Sequence, residues 1–221
     1  ASKINPLRPP LPRISAPPPV QTASGAINII AIGGSTGATE VFKEIFSGLP
    51  ANSPGVVAIQ HMPENFTGTF AQNLDRVSDM EVREAEPGDE IRPGTALIAR
   101  GDHHMVIRQS GAVYTVEMHQ GEKLWNCRPA VDVLFDSVAR AAGGKAIGVI
   151  LTGMGEDGAA GLVRMKRNGA RTIVQDEASS VVFGMPRKAI EAGAAEFVVP
   201  LQEISSKIME LFAAPAKTQS P

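Results

Sequence analysis

One serine set among glycines, four histidines and a pair of adjacent acids are the residues of this chain whose types and spacing could act together. Gly33-Gly34-Ser35-Thr36-Gly37 satisfies G-x-S-x-G, the pattern of a nucleophile elbow when it lies between a strand and a helix. Glycines there allow a sharp turn that lifts Ser35 Oγ toward solvent and aims backbone N–H groups where an oxyanion could be held. The same residues also read as a glycine-rich turn in which Ser35 only caps a helix. A serine hydroxyl needs a base. His61, directly after an apolar run, is the histidine best placed to supply one, its plain alternative being a loop hydrogen bond. His103 and His104 belong to a different kind of segment, and His119 lies near a strand end there. The acid comes from Thr152-Gly153-Met154-Gly155-Glu156-Asp157-Gly158: either Glu156 or Asp157 would serve to receive an imidazole N–H and fix its tautomer. Both also suit a helix N-terminus for dipole reasons alone. The order serine, histidine, acid is not that of the α/β-hydrolases. No H-E-x-x-H spacing is present, and Cys127 is the only cysteine, so the sequence predicts no metal and no cofactor.

For these groups to meet, the chain must bring them to one edge of one sheet. Residues 26–32 read as a buried strand ending at Gly33-Gly34, with a helix predicted over 39–47. Residues 56–60 read as a second strand, followed by a helix near 67–75. Pro129 suits a helix start, and Val131, Leu134, Phe135, Val138 and Ala142 make one apolar face that Gly143-Gly144 can end. A strand over 146–151, a helix near 159–168, a strand over 171–175, a helix over 186–192, a strand over 196–199 and a helix over 201–212 complete the alternation. This rhythm predicts an α/β fold: a doubly wound, mostly parallel sheet with helices on both faces. In such sheets ligands bind beyond the carboxyl ends of the strands, where Ser35, His61 and the two acids all fall. Residues 80–120 differ. Their short apolar segments, separated by Pro87-Gly88-Asp89, Pro93-Gly94 and Gln109-Ser110-Gly111, predict antiparallel strands on an edge of the sheet.

The 221 residues are 43% hydrophobic and 20% charged, the arithmetic of one globular domain or two small ones and not of a disordered chain. No apolar run reaches the roughly 18 residues of a membrane span, and the first residues carry no apolar signal core, so membrane insertion is not expected and a cytoplasmic location is. Lys and Arg number 21 against 23 Asp and Glu, which offers no basic field to a nucleic acid. Seven prolines fall between Pro6 and Pro19, with Lys3, Arg8 and Arg13 unopposed by acids. Residues 1–26 therefore read as a Pro-rich linker, 27–213 as the catalytic domain and 214–221 as a flexible tail.

Five stretches carry a resemblance: Ile30-Ala31-Ile32-Gly33-Gly34-Ser35-Thr36-Gly37, Gln60-His61-Met62-Pro63, Arg128-Pro129-Ala130-Val131-Asp132-Val133-Leu134-Phe135, Gly148 through Ala159, and Val182-Phe183-Gly184-Met185-Pro186. In that order they resemble the protein-glutamate methylesterases of bacterial chemotaxis, the CheB family. The resemblance implies Ser35 as nucleophile, His61 as base and then acid, and Asp157 rather than Glu156 as the orienting acid. It implies backbone N–H groups of Thr36 and Met154 as the oxyanion hole. It further implies hydrolysis of glutamyl 5-O-methyl esters on methyl-accepting chemoreceptors, with release of methanol, and deamidation of certain receptor glutamines. The implied partners are the cytoplasmic helices of methylated chemoreceptors and an N-terminal receiver domain phosphorylated on Asp. No carboxylate precedes Glu40, so the receiver is expected to lie outside this chain and residues 1–26 to be the interdomain linker. Gly34 and Ala38 stand where the family more usually has Ala and Gly, and His103 where it often has Arg; neither His103 nor His104 is given a catalytic role. A substrate projecting from a receptor helix requires a shallow, open cleft around Ser35. The competing reading is a phosphate- or nucleotide-binding module built on Gly33 to Gly37, although the lysine of a P-loop and the G-x-G-x-x-G spacing are lacking. A catalytically idle scaffold that docks on receptors is disfavoured because Ser35, His61 and Asp157 are all retained.

Overall fold

The computed structural model describes residues 27–214. The expected linker over 1–26, and all but the first residue of the expected tail, lie outside them. The elements are β1 (Ile29–Gly34), α1 (Ala38–Ser47), β2 (Gly55–Gln60), α2 (Glu64–Asp75), β3 (Glu81–Glu84), β4 (Thr95–Ile98), β5 (His104–Ser110), β6 (Val113–His119), α3 (Val131–Ala142), β7 (Ala146–Ile150), α4 (Ala159–Arg167), β8 (Arg171–Gln175), α5 (Met185–Glu191), β9 (Phe197–Val199) and α6 (Leu201–Ala213). Helix α2 begins before the sequence prediction because Glu64, Asn65 and Phe66, its first turn, face solvent and lie outside the buried stripe that starts at Thr67.

Seven strands form one parallel sheet in the order β3-β4-β2-β1-β7-β8-β9. The chain leaves β1 toward β2 on one side and returns to place β7 on the other. The β1–β7 boundary is thus the switch point, where a crevice opens beyond the strand ends. Alternate residues of each central strand feed opposite layers. Ile29, Ala31, Val57 and Ile59 pack beneath α3, α4, α5 and the β5–β6 hairpin. Ile30, Ile32, Val56 and Ala58 pack beneath α1, α2 and α6. A strand buried on both faces must be apolar throughout, which is why these runs show no alternation. On α3 the expected stripe is buried from Val131 to Ala142. Its Phe135 is fully buried, and truncation of such a side chain costs about 3–5 kcal/mol.

The stretch 80–120 corrects the edge expectation. β3 and β4 occupy that edge but run parallel, while the antiparallel pair, β5 with β6, forms a separate two-stranded sheet that covers α3. The turn residues in 85–94 do not close a hairpin. They carry the chain back along β6, with Gly88 N–H donating to Val116 O and Ile91 N–H to Tyr114 O, so that β4 re-enters in the direction of β3.

Candidate active site

Ser35 and His61 are the residues immediately after the paired ends of neighbouring strands, Gly34 opposite Gln60. The backbone N–H of His61 donates to Gly34 O at 3.1 Å. Ser35 N–H donates to Thr152 O at 3.0 Å, which joins the loop after β1 to the loop after β7. That bond also removes one of the amides that a phosphate cradle would use. Gly37, at the start of α1, has φ 81°, a left-handed conformation that glycine adopts without Cβ clash. Gly153 is set by proximity. A Cβ there would lie 2.8 Å from Ser35 Cβ and 2.3 Å from Met185 Sδ, so only glycine lets the two loops close at the serine.

Residues that the motifs did not single out hold these loops. Gln60 is buried, and its Nε2 donates to Ser35 O at 2.8 Å. The buried hydroxyl of Thr152 faces Thr36 O at 3.1 Å and Val182 O at 3.2 Å, and accepts the Val182 N–H at 2.9 Å. Thr152 N–H donates to Gln175 Oε1 at 2.8 Å. A buried polar side chain at a strand end was the available signal, but single polar residues in apolar runs are too common to stand out.

The two acids part company in the fold. Glu156 is exposed, whereas Asp157 is 2% exposed and its Oδ2 lies 2.9 Å from His61 Nε2. The same oxygen accepts the Val131 N–H at 2.7 Å, and Oδ1 accepts the Asp132 N–H at 2.8 Å. The carboxylate therefore caps α3 while it faces the imidazole. With Nε2 committed to Asp157, Nδ1 is the nitrogen left free, and Cys127 Sγ stands 3.7 Å from it. Burial alone would depress the His61 pKa; the hydrogen bonds to Asp157 and Cys127 and the negative charge of Asp157 outweigh it and raise the pKa to about 9. The structure thus brings His61 and Asp157 together, with Cys127 as an unforeseen neighbour. It does not join Ser35 Oγ to His61: that hydroxyl makes no hydrogen bond among the described residues.

Cys127 reaches the imidazole because of an uncommon turn. Leu124 and Cys127 exchange both backbone bonds, and between them Trp125 and Asn126 have φ 55° and 58°. This is the two-residue hairpin geometry in which both central residues are left-handed. Trp125 is held there by its Nε1–H, which donates to Asp132 Oδ2 at 2.8 Å. The remaining histidines have structural partners. His104 is buried, its Nε2 2.9 Å from Glu122 O and its Nδ1 accepting the Ala130 N–H at 3.2 Å; burial lowers its pKa. His103 Nδ1 lies 3.0 Å from Gly101 O, and His119 Nδ1 accepts the Gly121 N–H at 3.1 Å.

Ser35 is half-buried, and the N–H groups of Thr36 and Met154 make no hydrogen bond among the described residues. Met154 is 73% exposed, and Val181 and Trp125 are also exposed apolar residues of these loops. A cavity of about 280 Å³ opens on His61, Cys127 and Arg128, and a second hollow of about 590 Å³ on Met154, Glu156 and Phe183. Both are open to solvent, and Ser35 lines neither of them. No helix among the described residues is long and apolar enough to cross a membrane.

Comparison with known proteins adds an independent line. The family profile described as CheB methylesterase matches residues 30–208. The chain is 51% identical over 198 residues to protein-glutamate methylesterase/protein-glutamine glutaminase 2 of Pseudomonas aeruginosa, covering 88% of this chain and 57% of that one. It is 53% identical over 183 residues to protein-glutamate methylesterase/protein-glutamine glutaminase 5 of Anaeromyxobacter dehalogenans, covering 83% and 51%. It thus spans about half the length of the curated relatives it matches. The crystal structure of the Thermotoga maritima CheB methylesterase catalytic domain superposes with a TM-score of 0.82 at 40% identity, covering 86% of this chain and 100% of that one. A profile match that runs from β1 into α6, identity near one half, and a shared fold with its crevice at the β1–β7 boundary place the chain in the CheB methylesterase family.

Proposed function

We propose that this domain hydrolyses glutamyl 5-O-methyl esters on the cytoplasmic helices of chemoreceptors, releasing methanol, and deamidates receptor glutamines, with Ser35, His61 and Asp157 as the catalytic triad. The observation that carries this reading is the 2.9 Å contact of His61 Nε2 with a buried Asp157, beside a serine on the adjoining strand end. Family membership supports the same chemistry, since the matched relatives bear both activities in their names.

Ser35 Oγ attacks the ester carbonyl. Asp157 holds Nε2–H of His61, so Nδ1 is the nitrogen that takes the hydroxyl proton and then returns it to the departing methoxide. Water, activated by the same nitrogen, cleaves the acyl-enzyme and restores the carboxylate. With a carboxamide the leaving group is ammonia and the remaining steps are unchanged. In free enzymes the nucleophile–base hydrogen bond is often open and tightens only when substrate is bound. The unbonded N–H groups of Thr36 and Met154 flank the Ser35–Gly153 contact, and this supports them as the donors to the oxyanion. Removal of one such donor typically costs about 100- to 1,000-fold in rate. Such a domain works in the cytoplasm, joined in longer relatives to the receiver domain that the resemblance implies.

The test is methanol release from methylated receptor by the Ser35→Ala protein. Turnover falls to background if Ser35 is the nucleophile; turnover equal to the parent's overturns the assignment.

A further inference from the structure

Cys127 has no part in the reaction above, yet it stands against the one atom of His61 that the reaction needs. Its Sγ lies 3.7 Å from Nδ1, and the ligand atoms of Cys127, His61 and Asp157 all fall within 4.8 Å of one another. A tetrahedral zinc ion, with bonds of about 2.3 Å to sulfur and about 2.0–2.1 Å to nitrogen, sets such a pair of ligands about 3.6 Å apart. The two side chains already have that separation. From this geometry we infer that Cys127 Sγ and His61 Nδ1 form a binding site for a thiophilic divalent cation such as Zn²⁺, and that its occupation blocks the esterase.

Three further observations support the site. First, Asp157 stands as the outer partner and not as a ligand: its Oδ2 is held by His61 Nε2 and the Val131 N–H, and its Oδ1 by the Asp132 N–H. A carboxylate behind the second ring nitrogen is what orients metal-ligating histidines, because it fixes the tautomer and aims the other lone pair at the ion. Second, Cys127 is positioned in advance by its paired backbone bonds to Leu124, and its turn is pinned by Trp125 Nε1–H on Asp132. Third, His61 and Cys127 both line the open cavity of about 280 Å³, which gives an ion an entry path and room for the waters that complete its shell. On binding, the thiol proton and, below about pH 9, the Nδ1 proton of His61 pass to solvent, sulfur and Nδ1 each donate an electron pair to the ion, and nothing is oxidised or reduced. The same lone pair can no longer accept the Ser35 proton. This last step, and only this one, rests on the proposed role of His61 as base.

Zinc titration of the chelator-treated protein by isothermal calorimetry is the direct test. One equivalent binds to the parent, and Cys127→Ser and Cys127→Ala each weaken binding by more than about 100-fold, beyond the usual loss for an outer-partner change. Cobalt(II) gives a thiolate charge-transfer band in the parent that both variants lack. Methanol release by the parent declines along the zinc-binding curve and recovers with EDTA, whereas each variant keeps its own zinc-free rate over that range. Absence of stoichiometric binding, or binding indifferent to residue 127, overturns the site. Cysteine-dependent binding with undiminished methanol release overturns the inhibition. Calorimetry on Ser35→Ala keeps the two readings separate: it binds zinc as the parent does even if the esterase assignment fails.

Discussion

The oxygen of Asp157 that faces His61 also receives the N–H of Val131, 2.7 Å away, so one carboxylate holds the imidazole and caps α3. The proposed catalytic role and local stability therefore meet in a single residue, and substitutions there have two separable effects.

Asp157→Ala is expected to lose about 0.5–2 kcal/mol of stability through the lost cap, read as a lower midpoint in urea. Asp157→Asn retains one acceptor and is expected to keep most of the stability, while its turnover falls by roughly 10⁴-fold because the imidazole tautomer is no longer fixed. A variant with full turnover and unchanged midpoint would contradict both roles.

In the proposed mechanism the neutral imidazole is the base, and the hydrogen bonds to Asp157 and Cys127 raise the His61 pKa to about 9. The expected kcat/KM therefore rises with pH, about tenfold per unit below the pKa, and levels off above it. Replacing Cys127 with Ala removes one of the influences that raise the pKa, so the rising limb should move toward acid; a pH–rate profile on zinc-free protein measures both. Stability carries the opposite sign. A folded pKa raised above the ordinary value of 6.5 contributes stabilisation that is complete below 6.5 and is lost as pH climbs through about 9. Melting temperatures between those limits should fall with rising pH, and the decline should vanish in His61→Ala.

Gly153→Ala tests the close approach of the two loops. The new methyl group would stand 2.8 Å from Ser35 Cβ, and although Met185 can yield, the serine backbone is held by Thr152 and Gln60. A misplacement of the nucleophile by about 1 Å costs on the order of 100-fold in kcat. Labelling by a serine-directed fluorophosphonate should slow in parallel.

Thr152→Val preserves shape and deletes the hydroxyl that links the Ser35 loop to the Val182 loop. The half-buried Val182 N–H then lacks its acceptor, and the expected loss is about 0.5–1.5 kcal/mol. Hydrogen exchange at residues 179–184 should quicken more than in α3.

Much of this molecule is written in short-range pattern. The apolar runs that became β1, β2 and β7, the stripe from Val131 to Ala142, and the placing of Ser35, His61 and the acids just past strand ends follow from side-chain periodicity, which depends only on near neighbours in sequence. Strand direction in 80–120 did not follow, because turn residues announce a reversal without saying whether the chain pairs at once or travels along β6 first.

By itself the sequence determined the α/β alternation and the three strand-end groups, both of which are local properties. Tertiary structure alone decided that the imidazole meets its acid through Nε2, that this acid caps α3, and that a cysteine 66 positions from His61 occupies the other side of the ring. Those relations depend on strand order across the β1–β7 boundary and on the left-handed turn at Trp125 and Asn126. No local periodicity encodes them, because they arise only when segments distant in the chain share one crevice.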